Sequence, residues 1–116
     1  MPLKRRELLA AAAAAVALPA VGQSKDAWPS KLIRIVVPYP PGGSSDIIAR
    51  AISVPLADAL KQTVIIDNKP GANGNLGADF VAKSAPDGYT LLLCDVGALA
   101  ISPSVYTKLS FDPSKD

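Results

Sequence analysis

Three short runs of β-branched and aliphatic residues constrain this chain more than anything else in it. They read LIRIVV (32–37), TVIIDN (63–68) and YTLLLC (89–94). Each is nearly continuous rather than alternating, as expected of strands covered on both faces. The first two flank DIIARAISVPLADALKQ (46–62), where Ile48, Ile52, Leu56 and Leu60 recur every four residues and mark one apolar helix face. The last two flank LGADFVAKSA (76–85), a shorter helix, followed by the turn signal Pro86-Asp87-Gly88. The order β-α-β-α-β with short connections predicts parallel strands joined by right-handed crossovers, an open parallel-sheet α/β fold. Pro55 lies inside the first helix, where it removes a hydrogen bond at a cost of about 3 kcal/mol. A kink or two shorter helices are expected there. DVGALAIS (95–102) reads as a loop, PSVYTKL (103–109) as a helical turn, and SFDPSKD (110–116) as polar turn material.

The chain has 116 residues, and its start does not share this pattern. In MPLKRRELLAAAAAAVALPAVGQS, the basic Lys4, Arg5 and Arg6 precede an apolar run from Leu8 to Leu18, and Ala20 and Gly22 place small residues before Gln23. This is the pattern of a secretory signal peptide over residues 1–22. As a helix the apolar run would reach only about 16 Å, short of a bilayer core. Arg5-Arg6 fits either the general secretory or the twin-arginine route into the periplasm. Residues 23–31 form a polar lead-in, and 32–116 hold the α/β unit. Whole-chain charge is +2, from 12 basic and 10 acidic residues. The leader holds three of the basic and one of the acidic residues, so nine of each remain and the mature chain is neutral. No nucleic-acid or anionic-membrane surface is indicated. With no His, imidazole catalysis and His ligation of metal are excluded, and no cofactor is implied. The single Cys94 excludes an internal disulfide and reads as a small buried hydrophobe.

The most unusual backbone chemistry lies in VVPYPPGGSSD (36–46). Gly42-Gly43 lacks both the G-x-G-x-x-G spacing of dinucleotide sites and the Lys-Ser/Thr of a P-loop. Gly71, Gly74 and Gly77 follow the wrong strand at the wrong spacing. The physics of the loop still suits an anion. Proline stiffens it, Gly42 and Gly43 leave amides uncovered, and a helix start follows at once, capped by Ser44 or Ser45 with Asp46 in its first turn. In an open α/β sheet a ligand sits beyond the C-terminal strand ends, where the strand order reverses. If the second and third strands flank the first, PYPPGGSS and DVGALAIS face each other there. A rigid turn with no ligand remains the alternative.

VPYPPGGSSDIIAR, VIIDNKPGANGNLGADFVAKSAPDGYTLLL and ISPSVYTKLSFDPSKD together resemble successive signatures of the solute receptors of tripartite tricarboxylate transporters, the TctC or Bug family. The resemblance runs in order and spacing from about Trp28 onward. It implies the first lobe of a two-lobed, flytrap-like periplasmic binding fold that captures a small carboxylate, hands it to membrane permease subunits, and does no chemistry. A monomer is implied. Tyr39, Pro40, Pro41, Gly42, Gly43, Ser44, Ser45 and Asp46 fall in the family's first ligand loop, where Asp46 reads as a helix-start organiser rather than a ligand contact, since a free carboxylate repels an anion. Asp95, Val96, Gly97 and Ala98 fall in the second. Asn68, Pro70, Gly71 and Gly74 match an architectural turn near the cleft.

Three departures stand out. Cys94-Asp95-Val96 replaces the small polar residues usual in the family. An acid beside a carboxylate site must be paired, turned away, or used to select a ligand bearing an amine or amide. Pro55 interrupts a helix of ordinary helix formers. The chain also matches only the opening portion of a family member, so residues 32–116 are expected to form an incomplete first lobe. The alternatives are a truncated, non-binding remnant of such a receptor, or an exported α/β enzyme. The enzyme reading lacks a His, a G-x-S-x-G elbow and paired acids at helical spacing.

Overall fold

A computed structural model describes residues 26–116. The signal peptide read over 1–22 and the start of the lead-in lie outside the described residues. Strand β1 (Ile33–Val37) is followed by helix α1 (Ser44–Leu60), strand β2 (Val64–Asn68), helix α2 (Asn75–Ala82), strand β3 (Thr90–Leu92) and a short helix α3 (Ser102–Val105). One turn of 3-10 helix (Ala72–Gly74) leads into α2, and a π-helical turn (Gly97–Ile101) leads into α3. The three strands form a parallel sheet in the order β2-β1-β3. Ile35 pairs with Ile66 on one side and Leu91 on the other. The central strand is thus the first in sequence, and the chain order reverses beside it.

Alternation along β1 assigns a helix to each face. Ile35 and Val37 pack with Val64, Ile66 and Leu93 against Ala49 and Leu56 of α1. The opposite parity carries Arg34, Val36 and Pro38, and Pro38 meets α2 at Gly77. Arg34 reaches Asp67 of β2 at 3.3 Å and Lys69 reaches the same carboxylate at 3.6 Å, so this face is polar toward the β2 edge. Ser30 and Trp28 of the lead-in are tied down. The Tyr89 hydroxyl accepts the Ser30 amide at 2.8 Å, and the Trp28 ring lies 6.1 Å from that of Tyr89.

Several expectations are corrected. α1 is one continuous helix across Pro55 rather than two. The carbonyl that Pro55 leaves without a donor belongs to Ala51, which is exposed, so water can take the place of the lost N–H. The inward face of α1 is Asp46, Ala49, Ser53 and Leu56, not the face of Ile48 and Ile52, which stand 54% and 41% exposed. Small Ala49 allows close approach to the sheet, and Asp46 goes inside because its partners are there. Residues 97–102 are wound into the π turn and the start of α3 rather than a loop. The final segment is not all solvated: Phe111 is 8% exposed, and with Ala78, Leu92 and Leu99 it lines a cavity of about 170 Å³.

Candidate ligand-binding site

The loops after β1, β2 and β3 meet at the C-terminal edge of the sheet. Tyr39 of the first loop donates its hydroxyl to Asp95 Oδ1 of the third at 2.5 Å. The same oxygen accepts the Gly97 amide at 2.8 Å. The second loop closes the triangle. A Cβ placed on Gly74 would lie 3.0 Å from the Tyr39 hydroxyl and 3.3 Å from Ala98 Cβ. Gly74 has φ +85°, a left-handed conformation open to glycine at little cost. The facing of PYPPGGSS and DVGALAIS is therefore observed, with Tyr39 and Asp95 as the link.

The first loop is organised from below by Asp46. Asp46 is 3% exposed. Oδ2 accepts the Gly42 amide and Arg50 Nε, both at 2.9 Å, and Oδ1 accepts Asn68 Nδ2 at 3.0 Å. Asn68 Nδ2 also donates to the Tyr39 carbonyl at 3.2 Å. The Arg50 guanidinium first, then the Gly42 amide and the Asn68 side chain, hold the Asp46 carboxyl far below the usual carboxylate range. Asp46 thereby ties the start of α1 to the loops after β1 and β2.

This arrangement changes which amides are free. Gly42 N–H, expected to be uncovered, is taken by Asp46. Neither Ser44 nor Ser45 caps the helix: Gly43 is the N-cap residue, without a side-chain cap bond, and both serines lie in the first turn. Helix geometry gives their N–H groups no acceptor within α1, and no loop or side-chain bond among the described residues uses them. Ser44 is exposed and Ser45 half-buried. Pro40, Pro41, Gly42 and Gly43 are exposed beside them and Tyr39 is half-buried. In the third loop Val96 is 65% exposed, Gly97 half-buried and Ala98 fully buried. Ala98 packs on Gly74 and brings packing, not a side-chain contact for a ligand. Asn73 was missed by the sequence reading. It sits at φ +55°, and a Cβ on Gly97 would lie 3.6 Å from its Nδ2. Asn after Gly-Ala in a turn was the available signal, since Asn tolerates the left-handed region.

The Tyr39–Asp95 pair shifts both groups. Burial first, then the Asp95 carboxylate, pushes the Tyr39 hydroxyl up to about 12. The Tyr39 hydroxyl chiefly holds Asp95 below the usual range. Cys94 is half-buried and its thiol is pushed up, mainly by burial. It is no activated nucleophile.

Gly42 is the one residue of the first loop that backbone geometry fixes. Its φ is +88°, and an added Cβ would meet nothing within 4 Å. Gly42→Ala is therefore expected to cost about 1–2 kcal/mol of stability through backbone strain alone. Gly43→Ala is expected to be near neutral, because its Cβ would meet only the Pro40 carbonyl at an ordinary 3.5 Å. Urea denaturation of the two variants checks the contrast.

A parallel α/β unit whose strand-end loops converge at a switch point has the architecture of part of a lobe of a periplasmic binding protein. Solved structures bear this out. Rpa4515 of R. palustris, determined with adipate, superposes with TM-score 0.73 at 38% identity over 77% of this chain and 30% of that one. MatC (Rpa3494) from Rhodopseudomonas palustris, with bound malate, gives TM-score 0.72 at 38% identity over 76% and 30%. The tripartite tricarboxylate transporter family receptor model (TctC) matches residues 48–116, and the chain belongs to that family. A UPF0065 protein of Bordetella bronchiseptica is 44% identical over 114 residues, 98% of this chain and 33% of that relative. The chain spans about a third of the length of the curated relatives it matches.

Proposed function

We propose that residues 32–116 form part of the first lobe of a periplasmic receptor that captures a small carboxylate and delivers it to the membrane permease of a tripartite tricarboxylate-type transporter. The observation that carries this reading is the pair of unpaired amides, Ser44 and Ser45, at the start of α1, where three loops converge at the sheet's switch point. Amides at a helix start favour an anion without a charged side chain. The carboxylates named with the two R. palustris structures support the same chemistry. Residues 1–22 act as the export signal, and ligand capture is the whole of the activity, with no chemical step.

Calorimetric titration with adipate and malate tests the proposal. It is run on the chain from Gln23, and on a chimera in which the remaining two-thirds of the 44%-identical relative is appended. Saturable heat in both supports a competent lobe. Heat only in the chimera means that the opposing lobe is required, the behaviour of a remnant. No heat in either overturns the carboxylate reading. Ser44→Pro sharpens the test. Proline is tolerated in the first turn, and Gly43 at φ −75°, ψ 170° already holds the extended conformation a following proline demands. The variant removes one amide donor and leaves the helix intact. Affinity is expected to fall by about 10- to 100-fold, the range for one hydrogen bond to a charged group, with the unfolding midpoint unchanged.

A further inference from the structure

We infer that Asp95 makes this site selective for a carboxylate that also carries a cationic nitrogen, an amino acid rather than a plain dicarboxylic acid. The inference rests on the carboxylate reading above. It starts from the balance of charge around the three loops. Residues 38–49, 70–75 and 91–107 contain no Lys or Arg. Lys69, at the start of the second loop, is engaged with Phe80 of α2 and Asp67 of β2. Its Nζ lies 4.3 Å over the Phe80 ring and 3.6 Å from Asp67. Arg50 is committed to Asp46 at 2.9 Å, so that acid adds no net charge.

Asp95 is different. It is exposed, and none of the ion pairs among the described residues includes it. Its bonds come from a neutral hydroxyl, Tyr39, and from the Gly97 amide. These fix the carboxylate in place without cancelling its charge. Gly97 has no side chain to screen it, and a Cβ there would lie only 2.9 Å from Oδ1. A held, uncompensated negative charge therefore stands on a loop that Tyr39 joins to the one leading into the Ser44 and Ser45 amides. A plain dicarboxylate brings like charge toward it, and an ammonium group on the ligand reverses the sign of that interaction. The Tyr39 hydroxyl donates to Asp95, so it is not the donor that would relieve a second ligand carboxylate.

The test compares succinate, aspartate and N-acetylaspartate by calorimetry, in the chain and in the chimera. Succinate and aspartate share a carbon skeleton, and N-acetylaspartate keeps the nitrogen but loses its charge. Aspartate is expected to bind at least about tenfold more tightly than either. Asp95→Asn keeps an acceptor for Tyr39 and Gly97, and is expected to bring the three affinities within about threefold, chiefly by strengthening succinate. Tyr39→Phe removes the tether but not the charge, so the preference for aspartate is expected to survive. Equal binding of succinate and aspartate by the wild type, or an aspartate preference that persists in Asp95→Asn, overturns the inference and leaves the carboxylate reading standing. Absence of heat with all three, and with adipate and malate, overturns the carboxylate reading and this inference together.

Discussion

Gly77→Ala is expected to destabilise the protein by about 2 kcal/mol, against the usual direction of a glycine-to-alanine change within a helix. Propensity alone favours alanine by about 1 kcal/mol. Packing decides the sign. An added Cβ would lie 2.6 Å from Pro38 Cβ, 3.0 Å from Pro38 Cα and 3.1 Å from the Lys69 carbonyl oxygen. Two of these three are backbone atoms at the ends of β1 and β2, held by the Lys69 amide donating to Val37 O at 2.8 Å. No flexible side chain can give way. α2 must lift from the sheet, and overpacking of this kind costs about 1–3 kcal/mol for one methyl in a tight contact. The midpoint of thermal unfolding is expected to fall by roughly 10 °C for a unit of this size. The lift also reaches the site, because Gly74, which leads directly into α2, closes on the Tyr39 hydroxyl. Adipate affinity in the chimera is therefore expected to drop with stability. Thermal denaturation followed by circular dichroism checks the first effect, and an unchanged midpoint would show that α2 does not sit so close.

The strands and their parallel order were legible because each run is apolar and β-branched and each connection is short. The reversal beside β1 follows once β2 and β3 flank it. The inward face of α1 was not legible. A four-residue repeat of Ile48, Ile52, Leu56 and Leu60 outweighs a small Ala49 and a charged Asp46 on any hydropathy count. Yet the sheet accepts Ala49 for closeness, and Asp46 for the hydrogen bonds that wait inside. A buried carboxylate can be foreseen only when its partners are known, and Asn68 lies 22 residues away. The same gap explains the amides. Gly42-Gly43 signals bare backbone, but the claim of Asp46 on the Gly42 N–H depends on how the loop folds back over the helix start. That the loops after β1 and β3 face each other was legible once the strand order was supposed. The Tyr39–Asp95 link was not, since it joins residues 56 apart and Asp95 departs from the family pattern.

Asp46→Ala is expected to have a similarly large effect, by another route. Removing the carboxylate leaves the Gly42 amide, Arg50 Nε and Asn68 Nδ2 without their acceptor at one point. Gly42 and Arg50 are exposed, so water takes over part of their bonding, and Asn68 Nδ2 keeps the Tyr39 carbonyl at 3.2 Å; the cost is that of three bonds to one charged acceptor. The loss is expected to lower the midpoint of thermal unfolding by on the order of 10 °C. Carboxylate binding in the chimera should disappear, because Gly42 and Asn68 no longer fix the lip that presents Ser44 and Ser45. Asp46→Asn separates charge from shape, and its pH dependence has a definite sign. The folded-state carboxyl is depressed below its unfolded value, so the stabilisation it brings is fully present above the ordinary Asp range near pH 4. It is lost as pH falls from there toward the folded-state value. Wild type should therefore exceed Asp46→Asn in stability by a constant margin from pH 8 to about 5, and the margin should narrow steadily below about pH 4. Urea denaturation at successive pH values measures it. A margin independent of pH down to 2 would mean that Asp46 acts through shape alone, and that the ion pair with Arg50 contributes nothing to holding the lip in place.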